Sequence, residues 1–353
     1  MADFGNAQIK LLERLCNAVA VSGDEGEVRR IVRAEIEGAA DEVKVDALGN
    51  LLATRRGSAK TKRPRVMLSA HMDEVGFMLV ADDGEGLFRF EIVGGVDERQ
   101  LAGKPVLVGR NHVPGVIGAR PIHLTKAEER RRKIPFDALR IDVGPGGAGI
   151  KPGERATFAT RFTRNGPVLL SKALDNRFGV ATLIELIKHA PAGIDLLAAF
   201  TVQEEIGLRG AKVAAHAFDP DLALAVDATP ANDLPAWDGE ENTAYNTRLG
   251  LGPAIYTGDG STLSDPRLVR WLAQAGQSAG IPFQFRQPGG GGTDAGAIHR
   301  VRAGIPSGSL SVPHRYSHTA VSVARLDDWK NTLALLTYAL GHLPADLLTA
   351  ERG

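Results

Sequence analysis

Hydrophobic spacing along the chain changes character twice. Ile9, Leu12, Leu15 and Val19 recur on one helical face, and Val28, Ile31, Val32 and Ile36 on another. Two helices are predicted there, the second opened by Ser22 or Asp24 as a cap. Short strand-type runs follow at Glu42–Val45 and Asn50–Thr54, with Gly49 at the turn between them. The run RVMLSA, Arg65–Ala70, lacks polar alternation, as expected of a strand covered on both faces. From Gly76 to about Phe162 the runs become short and β-type (FMLV, FRFEIV, PVLVG, GVIG, LRIDVG, ATFATRF), broken by Gly and Pro. That texture predicts a small barrel or sandwich.

At Pro167 the alternation of strand and helix returns. Helices are predicted at Phe178–His189, Ala211–Ala217, Arg267–Ala279 and about Leu326–Leu343. Strands are predicted at Leu196–Val202, Leu222–Val226, Phe283–Gln287 and Gly304–Val312. The reading is an α/β fold with a mixed, largely parallel sheet flanked by helices, built from residues 1–73 and 164–353. A β-rich, barrel-like domain is inserted at 74–163.

Composition narrows the class. A chain of 353 residues exceeds what one small core usually needs. Hydrophobic residues at 43% and charged ones at 24% suit a soluble globular protein. Lys plus Arg and Asp plus Glu both number 42, so net charge points to neither nucleic acid nor membrane. No apolar stretch nears the ~20 residues that span a bilayer, and MADFGNAQIK lacks the features of a signal peptide. The lone cysteine, Cys16, sits in the helical pattern of Leu12 and Leu15 and reads as a buried hydrophobe. Having no internal disulfide partner, it suits a reducing compartment, and a cytoplasmic protein is expected. The run KAEERRRK, Lys126–Lys133, reads as a solvated loop, and GPGGAG, Gly144–Gly149, as a flexible loop rather than a phosphate cradle.

The candidate chemistry lies just past the buried strands. VMLSA is followed by His71 and Asp73, LLAAFTV by Glu204 and Glu205, LALAV by Asp227, and SGSLSV by His314 and His318. In open α/β sheets that edge is where ligands bind. Any one of these residues has an ordinary structural use, as a cap or a core histidine. Several carboxylates at one edge repel each other and are expensive to bury without positive charge nearby. A pair of metal ions is the expected partner, and His and carboxylate donors without cysteine suit zinc, cobalt or manganese. Two metals need a bridging carboxylate and clamp a shared water; one carboxylate should stand off them as general base. Strand alternation puts His71 and Asp73 on one side, where Asp73 could accept the second ring N–H of His71.

The segments SAHMDEVGFML, KALDNRFG, TVQEEIGLRGA, AVDATPA, GGTDAGAI and RYSHT resemble the co-catalytic metallo-aminopeptidases that build tetrahedral particles, the deblocking and glutamyl aminopeptidases. They keep the family's order from about residue 8 to residue 343. The resemblance implies a catalytic α/β domain and a dimerisation role for the β-rich insertion. It implies that Asp175 bridges two metals, that His71 and Asp227 complete one, and that Glu205 and His318 complete the other. Glu204 would be the general base and Asp73 the partner of His71. His318 is chosen over His314, which is left a structural or pocket-rim role. Asn176 stands where the family is often acidic, which bears on tuning around the bridge.

By its own sequence context Asp175 reads as a helix N-cap before Phe178. Asp294 could hold a substrate amine or cap the next helix. Gly290–Gly292 would let a peptide backbone come close.

The activity implied is hydrolysis of the first peptide bond of short peptides, with two divalent ions per subunit and dimers assembling into a dodecamer. Three rivals remain: a carboxypeptidase or deacylase sharing the metals, a glycoside hydrolase using Glu204 and Glu205, and a non-enzymatic scaffold. Adjacent strand residues point oppositely, which works against the glycoside hydrolase. Substrate preference is not legible, because loops such as Asp233–Gly260 cannot be placed from sequence.

Overall fold

The structure is a computed structural model and describes residues 4–60, 62–146, 149–234 and 247–352. Parts of the Gly144–Gly149 and Asp233–Gly260 loops lie outside the described residues.

Two helices open the chain, α1 (Asn6–Asn17) and α2 (Gly26–Glu35). The Gln8 side chain accepts the Gly5 N–H at 2.8 Å and closes the first turn of α1. Neither Ser22 nor Asp24 caps α2, whose N-cap residue is Glu25. The Ser22 hydroxyl instead donates to Asp73 at 2.6 Å, because a buried carboxylate is the stronger acceptor.

Three strands follow: β1 (Glu42–Val45), β2 (Leu51–Arg55) and β3 (Arg65–His71). The next six strands are β4 (Gly76–Gly84), β5 (Leu87–Val93), β6 (Pro105–Val108), β7 (Val113–Gly118), β8 (Arg140–Asp142) and β9 (Arg155–Phe158). They close into an antiparallel barrel in the order β4-β5-β8-β7-β6-β9, with its own core around Phe77, Phe90 and Phe158. Phe77 meets Phe90 and Phe158 edge-to-face, at centroid distances of 5.3 and 5.2 Å.

The chain then returns to the first sheet through β10 (Thr163–Asn165), β11 (Val168–Ser171), α3 (Leu174–Lys188), β12 (Asp195–Thr201), α4 (Arg209–Phe218) and β13 (Leu222–Pro230). It finishes with β14 (Ala254–Tyr256), α5 (Pro266–Ala279), β15 (Gln284–Arg286), the four-residue α6 (Ala295–Ile298), β16 (Ser307–Arg315), β17 (Ser322–Arg325) and α7 (Leu326–Gly341). Asp265 caps α5 by accepting the Arg267 N–H, Pro266 opens the helix, and Gly280 closes it at φ +64°.

Among the described residues the main sheet runs β1-β2-β12-β3-β13-β16-β17-β11-β10, with β14 and β15 branching from β16. Its centre, β12-β3-β13-β16, is parallel. These are the four apolar runs noted in the sequence, and their burial on both faces explains the missing polar alternation. Register aligns their ends: Thr201 faces His71, Ser69 faces Ala225 and Asp227 faces Ser311. No described helix is long and apolar enough to cross a membrane.

Candidate metal centre

Each parallel strand delivers donors to one edge of the sheet. His71 is the last residue of β3. Glu204 and Glu205 follow the end of β12 at Thr201. Asp227 lies within β13, which continues to Pro230, rather than beyond it. His314 is likewise inside β16, and His318 stands three residues past its end at Arg315. Asp175 comes from the start of α3, where its backbone and that of Asn176 are not helical. Asp175 is therefore not the cap its sequence context suggests. Asn176 does that work: its Oδ1 accepts the Gly179 N–H at 2.9 Å. Its Nδ2 donates to the Val226 carbonyl at 2.9 Å, fastening α3 to β13 beside Asp227. Gly179 permits this approach, since a Cβ there would collide with the Val226 carbonyl.

The donors meet in two overlapping groups. His71, Asp175 and Asp227 form one; Asp175, Glu205 and His318 form the other, and within each group the donor atoms lie within 4.8 Å of one another. Nε2 of His71 is 3.2 Å from Asp175 Oδ1 and 3.5 Å from Asp227 Oδ1. Nε2 of His318 is 3.2 Å from Glu205 Oε2 and 3.7 Å from Asp175 Oδ2. The two Asp175 oxygens thus face different groups. Glu204 belongs to neither; its Oε2 is 3.9 Å from His71 Nε2.

Both imidazoles are oriented from behind. Nδ1 of His71 lies 3.1 Å from the Asp73 backbone carbonyl, and Nδ1 of His318 lies 2.9 Å from that of Gly95. A carbonyl only accepts, so each Nδ1 carries a hydrogen, and Nε2 is the ring atom turned toward the carboxylates. The Asp73 carboxylate is farther from His71 Nδ1, at 3.5 Å. Its main work is elsewhere. Oδ1 accepts the Glu204 N–H at 3.0 Å and Oδ2 the Glu205 N–H at 3.2 Å, so Asp73 fixes the turn carrying both glutamates.

Electrostatics show what the site lacks. Burial pushes the Glu204 carboxyl far above its usual range, helped by Asp227 and Glu205. Burial likewise raises Glu205 to about 8, with Asp175 adding to it, and raises Asp227. Asp175 is held low despite burial by the hydrogen bond from His71. Burial opposes the charged form of His71, yet Glu204 and Asp175 raise its pKa well above normal. Among the described residues these four carboxylates form ion pairs only with the two histidines. Hard and borderline donors crowded without Lys or Arg fit divalent cations of the zinc, cobalt or manganese kind.

A buried ionic cluster supports the floor. Glu74 accepts from Lys172 Nζ at 2.8 and 2.9 Å, from Arg177 Nη2 at 3.2 Å, from the Ala20 N–H at 3.0 Å and from Thr157 of the barrel at 2.9 Å. Arg177 also donates to the backbone carbonyls of Leu15 and Met72. The turn after β3 and the turn before α3 are thus pinned together, the first just past His71 and the second just before Asp175. Sequence reading passed over Glu74 and Lys172, where adjacency to HMD and to the KALDNR segment was the available signal, and gave Ser22 only a capping role.

Two further expectations narrow to one of their alternatives. His314 is fully buried, its ring nitrogens have no hydrogen-bond partner, and it is not at the rim of the cavity. Asp294 occupies the N-cap of α6 without a side-chain capping bond and does not line the cavity; its Oδ2 accepts from Thr201 at 2.7 Å. The donor cluster opens into a cavity of about 680 Å³, whose lining also includes Tyr256, Arg286 and Gly290–Gly292.

A mixed α/β sheet with a parallel centre and His–carboxylate groups at one edge, joined to a closed barrel, is the framework of a hydrolase. The sequence profile of the M42 glutamyl aminopeptidase family matches residues 49–335. The chain is 32% identical over 347 residues to a lysyl aminopeptidase of Pyrococcus furiosus, covering 95% of this chain and 97% of the relative. It is also 32% identical over 339 residues to a glutamyl aminopeptidase of Lactococcus lactis, covering 90% and 91%. A TET aminopeptidase from a marine-sediment archaeon (Thaumarchaeota) superposes with a TM-score of 0.91 at 33% identity, covering 98% of both chains. The TET1 peptidase of Pyrococcus horikoshii, which can assemble into a tetrahedron or a large octahedral shell, gives 0.82 at 34% identity, covering 95% and 100%. The chain belongs to the M42 family and is an aminopeptidase, a peptide hydrolase.

Proposed function

We propose that this aminopeptidase removes N-terminal residues from short peptides with two divalent metal ions and Glu204 as general base. The observation that carries the reading is the pair of donor groups sharing Asp175. In this reading both ions would share Asp175, His71 and Asp227 would hold one, and Glu205 and His318 would hold the other. When bound, the two cations supply Lewis-acid polarisation of the scissile carbonyl and lower the pKa of the attacking water. Glu204 takes the water's proton and returns it to the leaving amine. It stands outside both donor groups, its Oε2 3.9 Å from His71 Nε2, where it can exchange a proton with water. Asp73 positions: it holds the Glu204 and Glu205 backbone and stands behind His71.

The proposal extends to organisation. Residues 74–163 form the inserted domain and mediate dimerisation, and dimers assemble into a tetrahedral dodecamer, as the similarity to TET1 suggests. The buried, unpaired Cys16 suits a cytoplasmic protein.

The test is a screen of aminoacyl anilides on protein stripped of metal and reloaded with zinc, cobalt or manganese. Hydrolysis is expected only with metal and only when the α-amine is free. Cleavage of the N-acetylated series, or release of C-terminal residues, would assign a deacylase or carboxypeptidase instead. Activity on a cellulose-type substrate that survives a chelator would assign a glycoside hydrolase.

A further inference from the structure

Beyond the donor cluster, one other charged side chain lines the cavity among the described residues: Arg286, at the end of β15. It is only 5% exposed. Its guanidinium carbon lies 4.4 Å from the ring centroid of buried Tyr256, its partner in the β14–β15 register. Nη1 donates to the Gly258 carbonyl at 3.3 Å and Nη2 to the Gly290 carbonyl at 2.9 Å. Nε–H has no hydrogen-bond partner. A guanidinium has five N–H donors, so three remain unspent. Among the described residues no carboxylate pairs with it, and two carbonyls with one aromatic face do not neutralise a buried cation. The other lining residues outside the donor cluster are neutral, among them Leu208, Ala228, Pro230 and Ser261. The Tyr256 phenol is pushed up to about 12 by burial and stays uncharged.

In the aminopeptidase reading, on which this inference rests, the substrate's α-amine and scissile carbonyl sit at the donor cluster. The first side chain then occupies the rest of the cavity. An aliphatic side chain would leave the guanidinium buried and unpaired, and a lysyl one would add a like charge. A carboxylate matches the unspent donors in charge and in geometry. We propose that Arg286 is a specificity-determining residue and that it selects an acidic N-terminal side chain, glutamyl or aspartyl. Family membership leaves this choice open, since lysyl and glutamyl aminopeptidases are equally similar to the chain.

The experiment compares Glu, Gln, Leu and Lys anilides on the metal-loaded enzyme, wild type beside Arg286→Gln and Arg286→Lys. Calorimetry of free glutamate and glutamine binding is run on each protein. Wild type should favour Glu over Gln by roughly tenfold or more in kcat/KM. Arg286→Gln should collapse that ratio toward one, and Arg286→Lys, which keeps the cation, should retain part of it. Glutamate should outbind glutamine on wild type but not on Arg286→Gln.

A wild-type preference for Leu or Lys overturns the proposal. So does an equal fall for every anilide in Arg286→Gln, which would make the arginine a tie between the Gly258 and Gly290 loops. A third contrary result is selective loss on the dipeptide Leu-Gly but not its amide, since Arg286 would then read a peptide's C-terminus. If no anilide is cleaved under any metal, the aminopeptidase reading itself fails, and the calorimetric comparison still decides what Arg286 recognises. Should Arg286→Gln fail to fold, the wild-type and Arg286→Lys ratios carry the test.

Discussion

Glu204 and Glu205 are neighbours in sequence and opposites in surroundings. Glu205 lies 3.2 Å from His318 and shares its donor group, whereas Glu204 stands outside both groups. Glu204→Gln should therefore load metal like the wild type while kcat falls by roughly 10²–10⁴-fold, the usual range for a lost general base. Metal analysis beside anilide kinetics checks both halves, and wild-type turnover in the variant would remove Glu204 from its role. Glu205, raised to about 8 by burial, holds a proton at neutral pH when no metal is present. Metal entry must displace that proton, so apparent affinity should rise with pH from neutral through that value. Titration calorimetry in buffers of different ionisation enthalpy should report proton release, and identical heats in all buffers would contradict it. At this scale His71, Glu204, Glu205 and Asp227 were legible because apolar runs lead straight into them. Asp175 was legible only through family resemblance: it stands at no strand end, and its neighbour Asn176 takes the capping duty. Arg286 hid in plain strand context, because a charge in FQFRQ shows nothing of the cavity it faces.

Between elements, the critical joint is Glu74 with Lys172 and Arg177. Removing one charge from a buried ionic cluster strands the others, at about 3–5 kcal/mol. Glu74→Gln should lose stability of that order in denaturant melts, and a loss within the noise would show the cluster to be dispensable. The two cations hold the Glu74 pKa below its ordinary 4.5 against the effect of burial. A group depressed on folding contributes stability above its unfolded pKa and loses it as pH falls through the folded one. The wild type should thus show an acid limb of unfolding below about pH 4.5 that Glu74→Gln flattens, read by melts across pH. The elements themselves followed their patterns well, since β12, β3, β13 and β16 coincide with the apolar runs. Their ends did not. β13 and β16 run on past the apolar runs that end at Val226 and Val312, because the paired backbone continues to Pro230 and His314.

At the scale of the molecule, the barrel is part of the site rather than an appendage. The Gly95 carbonyl, in the loop after β5, orients His318, and Thr157 of β9 bonds Glu74. Glycine at 95 leaves room for the imidazole, whose Nδ1 a Cβ would approach to 3.2 Å. The break in texture at Gly76 was visible in sequence; this contact was not, because it joins residues 223 positions apart. If the barrel also mediates assembly, light scattering should report a particle of many chains, and a stable monomer would count against it. The central claim is narrower: two cations share Asp175. Anomalous diffraction from crystals grown with cobalt tests it most directly. Two peaks per chain are predicted, one among His71, Asp175 and Asp227 and the other among Asp175, Glu205 and His318. A map with no peak at either group would contradict the account.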